Sequence, residues 1–264
     1  MYGITELHEI MTKEQILENF DPSQPGLADA TIFGLPFSAE QSEIIVIPVP
    51  WEVTVSYGSG ASKGPDAVLD ASFQVDLNHQ EFPELWKLGI YIDKPAKELK
   101  KKSKKFKKQA APIIKALESG MILDHHPSLM KDLEEINYAC SDMVEAVREQ
   151  TLNWMNKGKK VVLLGGDHST PLGYYQALAT KYDNFGILHL DAHMDLRIAY
   201  EGFTYSHASI MYNTLQIPQV SKIVQVGIRD FCEQEVEVAL KDRVLVHTDS
   251  DLKQEAFEGK TWQQ

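Results

Sequence analysis

The chain has 264 residues, 43% of them apolar, which is enough to bury a substantial core and suits one large domain. Its formal net charge of −12 argues against general nucleic-acid binding and against docking on an anionic membrane. No apolar run approaches the roughly 20 residues that span a bilayer, and MYGITELHEIMTKEQ lacks the features of a signal peptide. The two cysteines, Cys140 and Cys232, form no CxxC pair, so we expect a cytoplasmic protein without a disulfide framework.

Apolar runs of strand length alternate with helical patterns along the chain. The sequence predicts strands at 42–50, 87–93, 159–166, 185–190, 221–228 and 243–248. It predicts helices at 128–157, 170–182, 207–215 and 233–242. Ser128 is available as the N-cap of the first of them. Continuous apolar strands that alternate with helices are typical of an α/β fold whose parallel sheet is covered on both faces.

A lysine-rich segment at 94–109, KPAKELKKKSKKFKKQ, interrupts the acidic balance of the chain. Phe106 is its only aromatic residue, whereas a surface that stacks nucleic-acid bases interleaves aromatic and basic side chains. We therefore interpret the segment as a solvated helix or loop that is inserted between two strands.

The stretch GILHLDAHMD, residues 186–195, begins as an apolar strand and ends in charged groups. If the extended geometry continues, His189, Asp191, His193 and Asp195 alternate onto one side of the chain. Four polar side chains at the end of a core strand favour a binding or catalytic site over a purely structural role.

A second strand ends in the same way, in VVLLGGDHS at 161–169. There Gly165 and Gly166 allow the backbone to turn sharply before Asp167 and His168. Open parallel sheets bind their ligands at the carboxyl ends of strands, so we expect this cluster and the preceding one at one edge.

Carboxylates and imidazoles gathered at one edge are costly to bury without a compensating charge. A divalent cation supplies that charge, because it accepts carboxylate oxygens and neutral imidazole nitrogens together. The mixed nitrogen and oxygen donors, without thiolate, favour manganese, iron or cobalt over a structural zinc site. The alternative is a hydrogen-bonded cluster that only supports packing.

Several motifs resemble those of the ureohydrolase family, the arginases and agmatinases. They are GGDHS at 165–169, DAHMD at 191–195, SHAS at 206–209 and SYGSGASKGPDAVLDAS at 56–72. YSHAS and GIRD, at 227–230, are closer to the agmatinase branch. The resemblance runs from about residue 42 to the end and implies a three-layer α/β/α domain with a mainly parallel sheet. It also implies two Mn²⁺ ions that activate a water for attack on a guanidinium carbon.

Carried over residue by residue, the resemblance assigns a ligand set. His168 and Asp195 would bind one ion, His193 would bind the other, and Asp191 would bridge both.

The same resemblance assigns the supporting roles. His207 would carry protons between solvent and the site, and one carboxylate, either Asp191 or a residue not present in 1–264, would pass a proton to the leaving amine. Asp167 and His189 would orient the ligands instead of binding metal themselves.

A third motif of the family, S-x-D-x-D-x-x-D-P, does not occur in residues 1–264. Its first two aspartates complete the pair of metal sites, whereas Asp191 and Asp195 alone supply −2 against the +4 of two divalent ions. TDSDLK offers Asp249 and Asp251, but it lacks the serine and the DP, and a helix-initiating cap is the alternative interpretation. We therefore expect a C-terminally incomplete catalytic domain that binds fewer than two Mn²⁺ ions tightly.

The sequence thus predicts a single ureohydrolase-type domain over 1–264 that hydrolyses a guanidino or formimino C–N bond, with the activity of this form left open. Agmatine, guanidinobutyrate, arginine and formiminoglutamate are all candidate substrates, and the resemblance implies a homo-oligomer, a trimer or hexamer. Two alternatives stay open. One is a metal-binding or oligomer-forming protein without catalysis, and the other is a different metal-dependent amide hydrolase, such as a deacetylase.

Overall fold

The computed structural model describes residues 11–26, 30–94, 97–241 and 243–263. The expectation of no signal peptide rests mainly on residues 1–10, which lie outside these ranges. Contacts divide the chain into two compact units. The first unit comprises Met1–Glu52, Gly58–Lys104 and Glu149–Asp167, and the second comprises Val53–Tyr57, Lys105–Arg148 and His168–Gln264.

The first unit contains a three-stranded parallel sheet in the order β2-β1-β3. Its strands are β1 (Ile44–Val49), β2 (Ile90–Ile92) and β3 (Lys160–Gly165). β1 lies in the centre and is buried over Ile45–Val49, as expected of a strand made almost wholly of β-branched residues. Its helices include α1 (Lys13–Asn19), which the Thr12 capping box starts, and α2 (Gly64–Ser72).

Two contacts, one at Gly166 and one at Glu52, shape the loops at the carboxyl end of β1. Gly166 has no space for a side chain, because a Cβ there would lie 2.2 Å from the carbonyl oxygen of Trp51. The buried Glu52 carboxylate accepts the N–H groups of Gly60, at 2.7 Å, and Ser62, at 3.1 Å. Glu52 therefore fixes the glycine-rich loop that precedes α2, a role that the sequence did not reveal.

Two long helices contribute residues to both units. They are α3 (Lys97–Glu118), which contains most of the lysine-rich segment, and α4 (Pro127–Asn156). The segment is thus helical from Lys97 onward, while residues 95 and 96 are outside the described part of the chain. The helix predicted at 128–157 is confirmed to within one residue at each end.

The second unit contains a second parallel sheet, in the order β4-β5-β6. Its strands are β4 (Phe185–Leu190), β5 (Val220–Ile228) and β6 (Val244–Thr248). The helices are α5 (Leu172–Ala179), α6 (Ile210–Leu215), α7 (Glu233–Lys241) and α8 (Asp249–Phe257). None of the helices in the described ranges is long and apolar enough to cross a membrane.

The parallel α/β fold expected from the sequence is confirmed, and each predicted strand occurs within three residues of its expected ends. The structure differs in two respects. The six strands form two sheets of three, and alternate residues of β4, among them Leu188 and Leu190, stay exposed. One face of the second sheet is therefore not covered by the described residues. The single-domain organisation over 1–264 stays a prediction.

Candidate metal centre

Four side chains with metal-binding atoms converge just beyond the carboxyl end of β4. They are His168, His189, Asp191 and Asp195, whose candidate ligand atoms all lie within 4.8 Å of one another. His189 and Asp195 are buried, and the other two are partly exposed. The expectation that His168 lies with the residues that follow β4 is met.

Asp191 is the centre of the cluster because its two carboxylate oxygens face different groups. Oδ2 lies 3.3 Å from Nδ1 of His168 and 3.2 Å from Nε2 of His189. Oδ1 lies 3.4 Å from Nδ1 of His193 and accepts the backbone N–H of His193 at 3.0 Å. One carboxylate therefore lies between two sets of imidazoles, which is the arrangement that a carboxylate shared by two cations needs.

The charges of the cluster are strongly coupled. Partial burial acts to lower the pKa of His168, but hydrogen bonds to Asp191 and Asp195, the latter 2.7 Å from Nδ1, outweigh it and raise that pKa to about 9. Burial acts to raise the pKa of Asp191, yet hydrogen bonds with His168, His189 and the His193 N–H hold it well below its usual range. Without a metal, the cluster keeps a proton on His168 as its positive charge at neutral pH.

The side chain of Gln225, which is buried in β5, determines which nitrogen of His189 carries the proton. Its amide nitrogen donates to the carbonyl oxygen of Met194 at 2.6 Å and lies 3.0 Å from Nδ1 of His189. The Met194 carbonyl can only accept, so the amide orientation is fixed and Nδ1 of His189 is the acceptor. Nε2 then holds the proton and donates to Asp191, which suits His189 to orienting the carboxylate and not to binding a metal.

We expect Gln225→Leu to weaken Mn²⁺ binding by about 10-fold, the lower end of the usual effect of removing a group that orients metal ligands. Isothermal titration would measure the affinity, and ¹⁵N chemical shifts of the His189 ring would report the loss of the Nε2–H tautomer. Gln216→Leu, at an exposed glutamine that only donates to its own helix, is the matched control. An unchanged tautomer in a folded Gln225→Leu protein would contradict this account.

Asp195 has an unusual backbone conformation, with a φ of 53° that few residues other than glycine, asparagine and aspartate adopt. The conformation is held from outside, because the Asp195 carbonyl accepts the N–H groups of Met211, at 2.9 Å, and Tyr212, at 3.3 Å, at the start of α6. This turn directs the buried carboxylate back onto His168. The left-handed backbone is therefore part of the site.

An open cavity of about 430 Å³ lies in the second unit beside the cluster. His193, Asp195 and His207 all line it, so the histidine predicted to carry protons lies in the same cavity as two of the predicted ligands. His207 opens the short 3-10 helix His207–Ser209, which Ser206 caps, and its ring packs edge-on against Tyr200 at 6.2 Å between centroids. The remaining lining residues are Ser56, Tyr57, Arg197, Tyr200, Ala208, Asp230, Phe231 and Glu235.

Glu235 supports the wall of this cavity and was not singled out from the sequence. Its buried carboxylate accepts the N–H groups of Leu196, at 3.1 Å, and Cys232, at 2.9 Å. It therefore ties the loop that carries Asp191 and Asp195 to the first turn of α7. The signal was present, since Glu235 is the third residue of a helix and reaches back to the residue before that helix, as in a capping box.

The predicted ligand set and the observed cluster overlap without being identical. His168, Asp191 and Asp195 lie together, whereas the side chain of His193 is 57% exposed and lies outside the cluster, with Nδ1 3.4 Å from the far oxygen of Asp191 and Nε2 3.7 Å from Asp230. Asp167 is buried and donates its N–H to the Trp51 carbonyl at 2.8 Å within the first unit. The roles assigned to His193 and Asp167 stay predictions.

Asp249 and Asp251 do not join the cluster among the residues that the structure describes. Both lie in the first turn of α8, where Asp249 pairs with Lys253 at 2.6 Å. Thr248 caps the helix by accepting the N–H of Asp251. The helix-initiating interpretation of TDSDLK is thus the one that the structure supports, with threonine as the cap.

Comparison with known proteins agrees with this fold and these motifs. Residues 42–261 match the model of the Arginase family, and the chain therefore belongs to the arginase family, the ureohydrolases. Over 208 residues it is 31% identical to an N(1)-aminopropylagmatine ureohydrolase of Thermus thermophilus, which covers 78% of this chain and 57% of the relative.

Solved structures show the same arginase-like α/β fold with parallel sheets. An agmatine ureohydrolase of Thermoplasma volcanium matches with a TM-score of 0.61 at 19% identity, over 93% of this chain and 68% of that one. A formiminoglutamase of Trypanosoma cruzi, solved with Mn²⁺, matches with a TM-score of 0.58 at 15% identity, over 84% of this chain and 66% of that one. This chain thus spans little more than half the length of the Thermus relative and about two thirds of these solved chains.

Proposed function

We propose that this protein is a manganese-dependent ureohydrolase that hydrolyses the guanidino C–N bond of a small, agmatine-like substrate to urea and an amine. The observation that carries the proposal is the position of Asp191, which lies between His168 on one side and His193 on the other beside an open cavity. Membership of the arginase family supports the reaction class, and the Mn²⁺ in the Trypanosoma cruzi structure supports the metal.

The residues present fit a divalent cation. Two carboxylates and the imidazole of His168 surround one point, and hydrogen bonds to both carboxylates raise the pKa of His168, which supports a position that favours a positive charge. We infer that His168, Asp191 and Asp195 hold one ion and that His193 and the far oxygen of Asp191 begin a second site. The second site has fewer donors, so we expect it to be the weaker of the two.

Bound Mn²⁺ would supply Lewis acidity that makes a water nucleophilic near neutral pH. The protein's own residues supply the rest. Asp191 fixes the positions of the neighbouring imidazoles, and the buried His189 and Gln225 fix the orientation of Asp191. His207 exchanges protons across the cavity.

The charge of the cavity favours a cationic substrate. Asp230 lines it together with the aromatic rings of Tyr57, Tyr200 and Phe231. Arg197, the one basic residue besides the histidines in its described lining, lies over the Tyr200 ring at 5.0 Å and 3.9 Å from the buried Glu235 carboxylate, which offsets its charge. Carboxylates and aromatic faces both attract guanidinium and ammonium groups. We therefore rank agmatine and its N(1)-aminopropyl derivative above the anionic formiminoglutamate.

Urea release tests the proposal directly. The protein, loaded with Mn²⁺, would be incubated with agmatine, N(1)-aminopropylagmatine, arginine, guanidinobutyrate and formiminoglutamate, and with acetylated amines as a control for deacetylase activity. We expect urea from the cationic guanidines, abolished by chelation and by Asp191→Asn. Acetate release without urea would replace the proposal by a deacetylase. Metal binding without any product, in every form of the protein that binds two ions, would leave a metal-binding protein without catalysis.

The raised pKa of His168 makes a prediction about metal binding and pH. The imidazole must lose its proton before it binds a cation, so the Mn²⁺ ion that binds His168 should release about one proton at pH 7.5. Below the His168 pKa of about 9, the Mn²⁺ affinity should rise about 10-fold per pH unit. Titration calorimetry in two buffers of different protonation enthalpy would count the protons, and a pH-independent affinity between 6.5 and 8.5 would contradict the prediction.

The same shift acts on the metal-free protein in the opposite direction. Because the folded pKa of His168 lies above the ordinary value of 6.5, its contribution to stability is complete below about pH 6.5 and is lost as the pH rises through about 9. Raising the pH therefore weakens the metal-free fold while it strengthens metal binding, and thermal unfolding with and without Mn²⁺ would separate the two effects.

A further inference from the structure

The loop that carries His207 is closed on itself. Its ends are joined, because the N–H of Arg197 donates to the carbonyl oxygen of Ala208 at 3.1 Å. Both of these residues line the cavity, as do Tyr200 and His207, and we call residues 197–208 the cavity loop. A loop whose ends are joined is compact, so its contacts with the neighbouring helices decide where its side chains lie.

The cavity loop contains a tight turn, residues 200–203, in a conformation that its sequence does not favour. The N–H of Phe203 donates to the Tyr200 carbonyl at 2.9 Å, and φ is 55° at Glu201 and 79° at Gly202. Positive φ at both central residues is typical of a type I′ turn, whose first central residue is preferably asparagine, aspartate or glycine. Glutamate at this position is therefore strained.

The side chain of Glu201 adds to the cost of this turn. One of its carboxylate oxygens, Oε2, is buried and has no hydrogen-bond partner among the residues that the structure describes. Burial and, to a lesser degree, the nearby Glu118 raise the pKa of the Glu201 carboxyl group. The backbone and the side chain of Glu201 thus both oppose the observed conformation, so contacts from outside the turn must hold it.

Asn137 of α4 supplies two of these contacts. Its Oδ1 accepts the N–H of Thr204 at 2.9 Å, and its Nδ2 donates to the carbonyl oxygen of Gly202 at 3.1 Å. One side-chain amide therefore bonds to the backbone on both sides of Phe203. The turn also packs directly on α4, since a Cβ at Gly202 would lie 2.8 Å from Cδ2 of Leu133. Asn137 thus joins the cavity loop to a long helix.

The position of the turn affects His207 through the ring of Tyr200. The Tyr200 and His207 rings pack edge-on at 6.2 Å between centroids, and the guanidinium of Arg197 lies 5.0 Å from the centre of the Tyr200 ring. The imidazole has little other support nearby, because its Nδ1 lies 3.4 Å from Oγ of Ser206, which is long for a hydrogen bond. A displaced turn would therefore remove the ring that orients His207.

We propose that Asn137 is a positioning residue for the hydrolysis: by holding the strained turn, it keeps Tyr200 against His207 and so fixes the imidazole in the cavity. The proposal rests on the proposed function, in which His207 transfers protons. Asn137 is not among the described lining residues of the cavity, so it acts through Tyr200 and does not touch the substrate. Proton transfer requires a well-placed imidazole, and a small displacement is enough to lower the rate.

Asn137→Leu in the metal-free protein tests the positioning without any measurement of activity. Nuclear Overhauser contacts between the rings of Tyr200 and His207, in protein with labelled tyrosine and histidine, report whether these rings stay packed. We expect Asn137→Leu to lose these contacts, and the amide hydrogen of Thr204 to exchange about 10-fold faster. Asn153→Leu, at an exposed asparagine of the same helix, is the matched control and should change neither readout.

Glu201→Asn provides a rescue, because asparagine favours the turn conformation that glutamate opposes. Combined with Asn137→Leu, it should restore the ring contacts between Tyr200 and His207, since a relaxed turn needs no clamp. General damage to α4 by Asn137→Leu would not be repaired by a substitution in the turn. The double variant therefore separates a positioning role from a loss of helix stability.

Activity supplies the last readout. In whichever form of the protein releases urea, Asn137→Leu should lower kcat by about 10-fold, leave the Mn²⁺ affinity and KM within about 2-fold, and regain part of the rate with added imidazole. The proposal is overturned if the ring contacts persist in a folded Asn137→Leu protein, if Glu201→Asn does not restore them, or if kcat is unchanged once they are lost. Failure of every form to release urea would contradict the proposed function alone, because the ring contacts would still decide whether Asn137 positions His207.

Discussion

Asp191→Asn is expected to weaken Mn²⁺ binding by at least about 100-fold, because it removes one of the two carboxylates of the proposed cation site. Both oxygens of Asp191 are engaged, with His168 and His189 on one side and His193 on the other. The amide keeps the shape of the side chain, so the fold should survive while the rise in thermal midpoint on adding Mn²⁺ disappears. Equilibrium titration and thermal unfolding of the same samples would measure both effects.

Asp249→Asn is the matched control for this substitution. Asp249 is an aspartate in the same unit that follows a strand, but it pairs with Lys253 in the first turn of α8. The Mn²⁺ affinity of the Asp249→Asn protein should equal that of the parent protein. Equal losses in Asp249→Asn and Asp191→Asn would show that TDSDLK contributes ligands and that the assignment of the site is wrong.

His207→Asn is expected to lower kcat by about 10- to 1,000-fold in whichever form of the protein releases urea, with the metal content intact. His207 lies in the same cavity as His193 and Asp195 but outside the four-residue cluster. An imidazole titrates near neutral pH and can pass protons between water and the site, whereas an amide cannot. Steady-state rates and elemental analysis of the same preparation would check the two halves of the prediction.

Rescue by added imidazole distinguishes a proton carrier from a residue with only a structural role. If His207 carries protons, imidazole in the buffer should restore part of the rate of His207→Asn and leave the parent protein unaffected. His79→Asn, at an exposed histidine of the first unit, should retain full activity. Loss of Mn²⁺ from His207→Asn would instead make His207 a ligand, and an unchanged kcat would remove it from the mechanism.

The strands and their polar ends could be predicted from the sequence because both are local properties. An apolar run such as FGILHL predicts a strand by composition, and parallel strands deliver their ends to one edge. His168, Asp191 and Asp195 could therefore be placed together before their distances were known. Side-chain alternation was less reliable, since the strand ends at Leu190 and the backbone leaves the extended conformation before Asp195.

The supporting residues could not be predicted in the same way, because they depend on contacts between distant segments. Gln225 lies in the apolar run SKIVQVGI, where a buried amide must find partners, but the sequence does not say which ones. Its partners, His189 and Met194, are about 30 residues away along the chain. The sequence could indicate that Glu235 accepts the N–H of Cys232 at the start of its helix. Its second hydrogen bond, from the N–H of Leu196, could be identified only from the folded structure.

The left-handed backbone at Asp195 adds a second requirement to that for a carboxylate, and only one residue type meets both fully. The proposed metal site needs a short carboxylate there, and a residue with a φ of 53° is best tolerated when it is glycine, asparagine or aspartate. Glutamate fails the second requirement and glycine the first, while asparagine keeps the turn and loses the charge. Of the single-base changes of an aspartate codon, the one to asparagine is therefore expected to preserve this turn best while it weakens Mn²⁺ binding.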